Sequence, residues 1–151
     1  MELSYADLEK EISAEFANAQ TIVFATCADN IVTARTVNPV NDGITILFGT
    51  DDGSTKVEQA KQNANVALVC GGIQIEATAE LWGSPSKSKD FQEKIDAKFP
   101  WMKEAYPPDP EGPDTGMLVI CHPTKISFYK YLDGEGHWDV LYVKEQRAER
   151  K

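Results

Sequence analysis

The sequence predicts a mainly β protein, an antiparallel barrel with flanking helices. Three observations carry this expectation. Short apolar, β-rich runs recur along the chain. Most follow one another through tight-turn residues (Asp29-Asn30, Asn41-Asp42-Gly43, Gly71-Gly72, Asp133-Gly134) rather than through helices, the pattern of hairpins and not of parallel crossovers. A chain of 151 residues with this many strands must also hide its sheet edges, which closure into a barrel achieves.

The elements follow in order. Ser4 to Ala19 has helical spacing at Leu8, Ile12 and Phe16, with Ser4 as cap and Asp7 three residues on. TIVFATCA (21–28) and IVTARTVNPV (31–40) form a hairpin, and ITILFG (44–49) follows the next turn. Residues 54–63 suit a short helix with Val57 and Ala60 facing in. NVALVC (65–70) and IQIEATAELW (73–82) are strands; the second alternates as a half-exposed strand does. Ser84 to Phe99 is a second long helix with Phe91, Ile95 and Phe99 on one stripe. The segment 100–114 holds five prolines and can be neither regular helix nor central strand. GMLVICHP (116–123), KISFYKYL (125–132) and HWDVLYV (137–143) complete the sheet. One domain thus spans 1–143, and KEQRAERK (144–151) is expected to be a charged, frayed tail.

Composition excludes several functions. The net charge is −9 and the pI near 4.7, so the chain lacks the basic face that nucleic acid or an anionic membrane surface demands. No apolar stretch approaches the ~18–20 residues of a membrane span. The N-terminus MELSYADLEKEIS is polar and acidic, unlike a signal peptide. Cys27, Cys70 and Cys121 lie far apart, form no CxxC pair and show no metal spacing with His122 or His137; they suit reduced thiols in a cytoplasmic protein.

One stretch stands out. In LFGTDDGSTK (47–56) an apolar run ends at Phe48 and gives way to hydroxyls, Gly53 and Lys56 where a helix begins. A helix N-terminus offers N–H groups and a favourable dipole to an anion. Thr50, Ser54 and Thr55 add hydroxyls and Lys56 a charge. Ser54 could equally be an ordinary helix cap. Arg35, the first of only three arginines, sits in mid-strand, where alternation sets Thr33, Arg35 and Val37 on one face. If strands 31–40 and 44–49 pair, Arg35 and Lys56 could share one anion; otherwise Arg35 is solvent-facing.

In this order, Arg35-Thr36-Val37, Phe48-Gly49-Thr50, Gly53-Ser54-Thr55-Lys56, NANVALV (63–69) and Gln74-Ile-Glu-Ala-Thr-Ala-Glu80, the chain resembles the pyridoxamine 5′-phosphate oxidase-like family of FMN-binding split barrels. The likeness runs from Thr21 to Trp82 and more loosely to Tyr131. It implies a six-stranded antiparallel split barrel, usually a homodimer with FMN at the interface. Arg35, Thr36 and Val37 would then line the flavin, with the Arg35 guanidinium at the phosphate. Phe48 and Thr50 would lie under the ribityl chain and ring. Ser54 and Lys56, beside Thr55, would hold the phosphate. Gln74 would reach the flavin from the other protomer, and Tyr129 would flank the ring.

Departures from the family's oxidases point away from pyridoxamine phosphate as substrate. Those enzymes carry Ser-Arg-Lys where this chain has Ser54-Thr55-Lys56, a lysine at the position of Val40, and a C-terminal arginine–histidine pair with no clear counterpart here. The resemblance therefore implies an FMN-dependent oxidoreductase acting on another small molecule. The alternatives are a non-enzymatic flavin or electron carrier, the same scaffold holding a deazaflavin or haem, and a dimeric module that binds nothing. An enzyme needs a pocket beside the ring, whereas a carrier needs an exposed ring edge. His137 and Trp138 could face the flavin, and the 100–114 loop with Trp101 and Tyr106 could cover it.

Overall fold

The computed structural model describes residues 1–151. Ten strands form one sheet: β1 (Glu2–Leu3), β2 (Ile22–Ala28), β3 (Ile31–Val37), β4 (Val40–Asp42), β5 (Thr45–Asp51), β6 (Asn65–Cys70), β7 (Ile73–Gly83), β8 (Gly116–Leu132), β9 (Glu135–Tyr142) and β10 (Arg147–Arg150). The helices are α1 (Tyr5–Asn18), α2 (Thr55–Gln62), α3 (Lys89–Lys98) and the single turn α4 (Met102–Ala105); a 3-10 turn, Pro85–Lys87, precedes α3. No helix is long and apolar enough to cross a membrane.

The strands lie in the order β1-β10-β9-β8-β7-β6-β2-β3, every pair antiparallel; β5 joins the first part of β8, and β4 joins β5. The hairpin turn Asp29-Asn30 takes positive φ at both residues (52° and 62°), which Asp and Asn tolerate and which matches the twist of the strands they join. Along β2, buried residues alternate strictly with half-buried ones, so Ile22, Phe24, Thr26 and Ala28 face one way. The inward faces of β2, β5, β6, β7 and β8 meet in one core of Phe24, Phe48, Leu68, Ile75, Val119 and Ile126, joined by Leu8, Ile12 and Phe16 of α1. A smaller core of Val40, Leu47, Phe91, Phe99 and Leu118 lies beneath α3.

The strands β3 and β5 bond to other neighbours and not to each other. The barrel is split there, as the resemblance implied, although the full sheet has ten strands rather than six.

Four expectations are corrected. First, 31–40 is not one strand. It stops at Val37, where Pro39 lacks the N–H a ladder needs, and only β4 continues to pair with β5. Arg35 therefore does not lie beside β5. Second, 116–123 and 125–132 are one strand. The separation at Thr124 is a bulge: Glu76 faces Lys125 but Ala77 faces Pro123, and the extra Thr124 donates its hydroxyl to Glu76 O at 3.1 Å. Third, the tail is not frayed and the fold does not end at 143. β10 is bonded between β1 and β9, Ala148 is buried, and Arg150 grips the buried Asp139 through two hydrogen bonds of 2.6 and 2.8 Å. The second helix also begins later than Ser84, at Lys89, where the Ser88 hydroxyl accepts from Phe91 N.

Candidate functional site: an anion-ready slot in the split barrel

The slot between β3 and β5 is a recess of about 250 Å³. Thr36, Val37 and Asn38 form one side; Gly49, Thr50 and Lys56 form the other. Phe91 and Ile95 of α3 and Met102 of α4 supply an apolar wall.

Helix α2 brings the cation and the hydroxyl. Val57 and Ala60 anchor it in the core, which fixes its N-terminus at the end of β5. Ser54 stands at the N-cap with extended backbone, yet its side chain does not cap the helix. Its Oγ is buried and meets no partner in the protein. A buried hydroxyl without a protein partner costs about 1–3 kcal/mol, and this atom is open to a hydrogen bond from outside the chain. Lys56 follows within the first turn and makes no ion pair with any carboxylate, although the protein carries 24 of them. Burial lowers its pKa first, the like charge of Arg35 lowers it further, and only Asp51 opposes them.

Arg35 lies on the inward face of β3, half-buried, as alternation predicts. It too has no carboxylate partner, and burial alone pushes its pKa down. Nη1 donates to Phe24 O at 3.2 Å and to Thr26 Oγ1 at 2.9 Å, and Nη2 donates to Thr33 Oγ1. A guanidinium has five N–H donors, so Nε and one Nη2 hydrogen remain for another acceptor. Two cations without carboxylate partners, one lowering the pKa of the other, together with a partnerless hydroxyl at a helix N-terminus, are groups that can take an anion.

The structure thus gathers Thr36, Val37, Thr50 and Lys56 around the slot; Ser54 lies two residues before Lys56 with its hydroxyl buried, and Arg35, on the inner face of β3, does not line the recess but is close enough to lower the Lys56 pKa. Thr55 is exposed in the first turn of α2 beside them. Phe48 differs: its side chain is fully buried and meets Phe24 edge-on at 4.9 Å, so only its backbone can face a ligand. Gln74 and Tyr129 are elsewhere, on the outer face of the sheet. Gln74 pairs with Ser127, two residues before Tyr129. The Tyr129 ring rests against Trp138 at 5.2 Å and over Gly136, where a Cβ would come within 2.5 Å of the phenol oxygen. Neither His137 nor Trp138 lines the slot. Trp101 turns to Phe99 and Tyr106 to solvent, so Met102 is the residue of the proline-rich segment that reaches the site.

Sequence reasoning missed the apolar wall of Phe91, Ile95 and Met102, and the polar set Thr26, Thr33 and Gln59. The alternation of β2 was a usable signal for Thr26, which must face in beside Phe24; Gln59 carried none, since its place depends on how α2 docks.

Comparison with known proteins agrees with this architecture. The family model described as pyridoxamine 5′-phosphate oxidase matches residues 8–130, and the chain belongs to that family. Among solved structures, general stress protein 26 from Bacillus anthracis superposes with a TM-score of 0.62 at 20% identity, over 85% of this chain and 96% of that one. A pyridoxamine 5′-phosphate oxidase-related, FMN-binding protein from Nostoc punctiforme gives 0.62 at 16% identity, over 97% and 93%. PhzG from Burkholderia lata, in complex with tetrahydrophenazine-1-carboxylic acid, gives 0.62 at 12% identity, over 97% and 87%. At these identities the likeness is one of fold. No curated protein matches the chain.

Proposed function

We propose that this protein binds FMN at a homodimer interface and acts, in the cytoplasm, as an FMN-dependent oxidoreductase on a small molecule other than pyridoxamine phosphate. The observation that carries the reading is that Lys56 lines the slot without a carboxylate partner, close enough to the equally unpaired Arg35 to feel its charge and two residues from the partnerless Ser54 hydroxyl, in a chain of net charge −9. A phosphate dianion satisfies all three groups. Arg35, Ser54, Thr55 and Lys56 would hold the phosphate, with Thr36, Val37, Thr50 and the backbone at Phe48 along the rest of the cofactor. Bound FMN supplies the redox chemistry, and the chain's own task is to hold and orient it.

The half-apolar recess favours an enzyme over an electron carrier, because Phe91, Ile95 and Met102 give a small molecule somewhere to sit. Three features support a substrate other than pyridoxamine phosphate. Val40 is buried in the smaller core, where a lysine charge would be stranded. Arg147 is bonded to Glu149 and Arg150 to Asp139, so neither is free for a substrate phosphate. The homodimer reading rests on the outer sheet face. Val32 is 70% and Val69 41% exposed there, beside Ala34 and Ala67, and β3 is an unpaired edge. Gln74 and Tyr129 share that outer face, on the opposite side of the sheet from Arg35, which suits them to a partner's flavin. The free cysteines agree with a reducing compartment.

The test is the double variant Arg35→Ala/Lys56→Ala. It should lose FMN from an intact fold, judged by circular dichroism. FMN affinity equal to that of the unaltered protein would end this reading.

A further inference from the structure

We propose that Gln59 is a positioning residue for the anion site: it sets the hydroxyls of Thr26 and Thr33 so that they aim the Arg35 guanidinium. The inference rests on the reading of Arg35 as a phosphate ligand.

Gln59 is a polar side chain only 8% exposed, and all its hydrogen-bonding groups are engaged. Its Oε1 accepts from Thr26 Oγ1 at 2.5 Å and from Thr33 Oγ1 at 2.6 Å. Its Nε2 donates to Ile31 O at 3.2 Å. The orientation of the amide is dictated by that last contact, because a carbonyl can only accept.

Each threonine hydroxyl has one proton. Both are committed to Gln59, so the 3.3 Å approach between the two hydroxyls carries none. The hydroxyls therefore present lone pairs to Arg35, which donates Nη1 to Thr26 at 2.9 Å and Nη2 to Thr33. Without Gln59 neither hydroxyl is held in position by its own proton, either can rotate or bond to the other, and the arginine loses its fixed plane. The planar fork is what makes arginine a directional phosphate ligand.

The geometry also couples the two halves of the site. Ser54, Lys56 and Gln59 belong to one short helical segment. Lys56 lines the slot, Ser54 stands two residues before it, and Gln59 acts through Thr26 of β2 and Thr33 of β3 on the other side of the split. Helix α2 thus sets both cations relative to each other, although Arg35 and Lys56 lie on elements that are not paired.

The test compares FMN with riboflavin, which lacks the phosphate, by quenching of flavin fluorescence in the purified full-length protein. In Gln59→Leu, FMN affinity should fall about tenfold, the size of one charge-assisted hydrogen bond, while riboflavin affinity stays within about twofold. Equal losses for both ligands would make Gln59 a mere tether of α2 and overturn the proposal, as would unchanged FMN affinity. If Gln59→Leu does not fold, Gln59→Glu serves. Its carboxylate still accepts from both threonines but cannot donate to Ile31 O and adds a negative charge near Arg35, so FMN affinity should again fall more than riboflavin affinity, and equal losses would again overturn the proposal. Unaltered protein that binds riboflavin as tightly as FMN would instead sink the underlying phosphate reading.

Discussion

Lys56→Met should separate binding from stability in opposite directions. The substitution keeps the length of the side chain and removes its charge. If Lys56 meets a phosphate, one hydrogen bond between charged groups is lost, about 1.5–3 kcal/mol. At about 1.4 kcal/mol per decade this is roughly a tenfold to hundredfold weaker Kd for FMN. The same charge is unfavourable in the ligand-free protein, because burial and Arg35 both lower the Lys56 pKa and Asp51 only partly compensates. A base whose pKa is lowered on folding weakens the fold at pH below that pKa, and the penalty fades as pH climbs toward the ordinary lysine range near about 10. Ligand-free Lys56→Met should therefore melt no lower than the unaltered protein at neutral pH, and the two should converge in alkali. Fluorescence titration with FMN and thermal melts at several pH values read both quantities. A Kd within twofold of the original, or a clearly lower melting temperature without ligand, would refute the reasoning.

Ser54→Ala should leave ligand-free stability equal or higher, since it removes an unsatisfied buried hydroxyl, and should weaken FMN binding severalfold; calorimetry and titration measure the two. Asp139→Ala should cost about 3–5 kcal/mol in urea unfolding, because Arg150 loses its carboxylate partner at 2.6 Å and Lys130 loses one of two, Glu11 remaining at 2.6 Å. The Arg150 hydrogen bonds hold the Asp139 pKa below the ordinary carboxylate range, so its contribution is complete above about pH 4 and disappears as pH falls further; Asp139→Asn should flatten that acid limb. Val32→Asp should convert a dimer to a monomer in sedimentation velocity with the fold retained, because it places a charge on the exposed outer face. A dimer that persists in this variant would move the interface elsewhere.

What the sequence reveals here follows from how local each signal is. The alternation of β2, the Asp29-Asn30 turn and the Leu8-Ile12-Phe16 stripe are set by near neighbours, and all appear in the structure. Ser54 and Lys56 are legible for the same reason. The strand β10 is not. Its residues form a charged run with one apolar side chain, Ala148, and its order comes from Asp139 across the β9–β10 hairpin and from β1 at the far end of the chain. The separation at Thr124 is a bulge that belongs to the pairing with β7 rather than to β8 alone. The approach of Arg35 to Lys56 was expected through a hairpin with β5. It arises instead because α2 packs beneath the β2–β3 hairpin and is bonded to it through Gln59. Phe48 shows the limit of motif transfer: its place in the order matches the family, but its side chain belongs to the core.

The most direct measurement is the visible absorption spectrum of the freshly purified protein, repeated after addition of FMN and desalting. A flavin spectrum retained at one FMN per protomer is the expected result. A colourless protein from which FMN washes through would contradict the account.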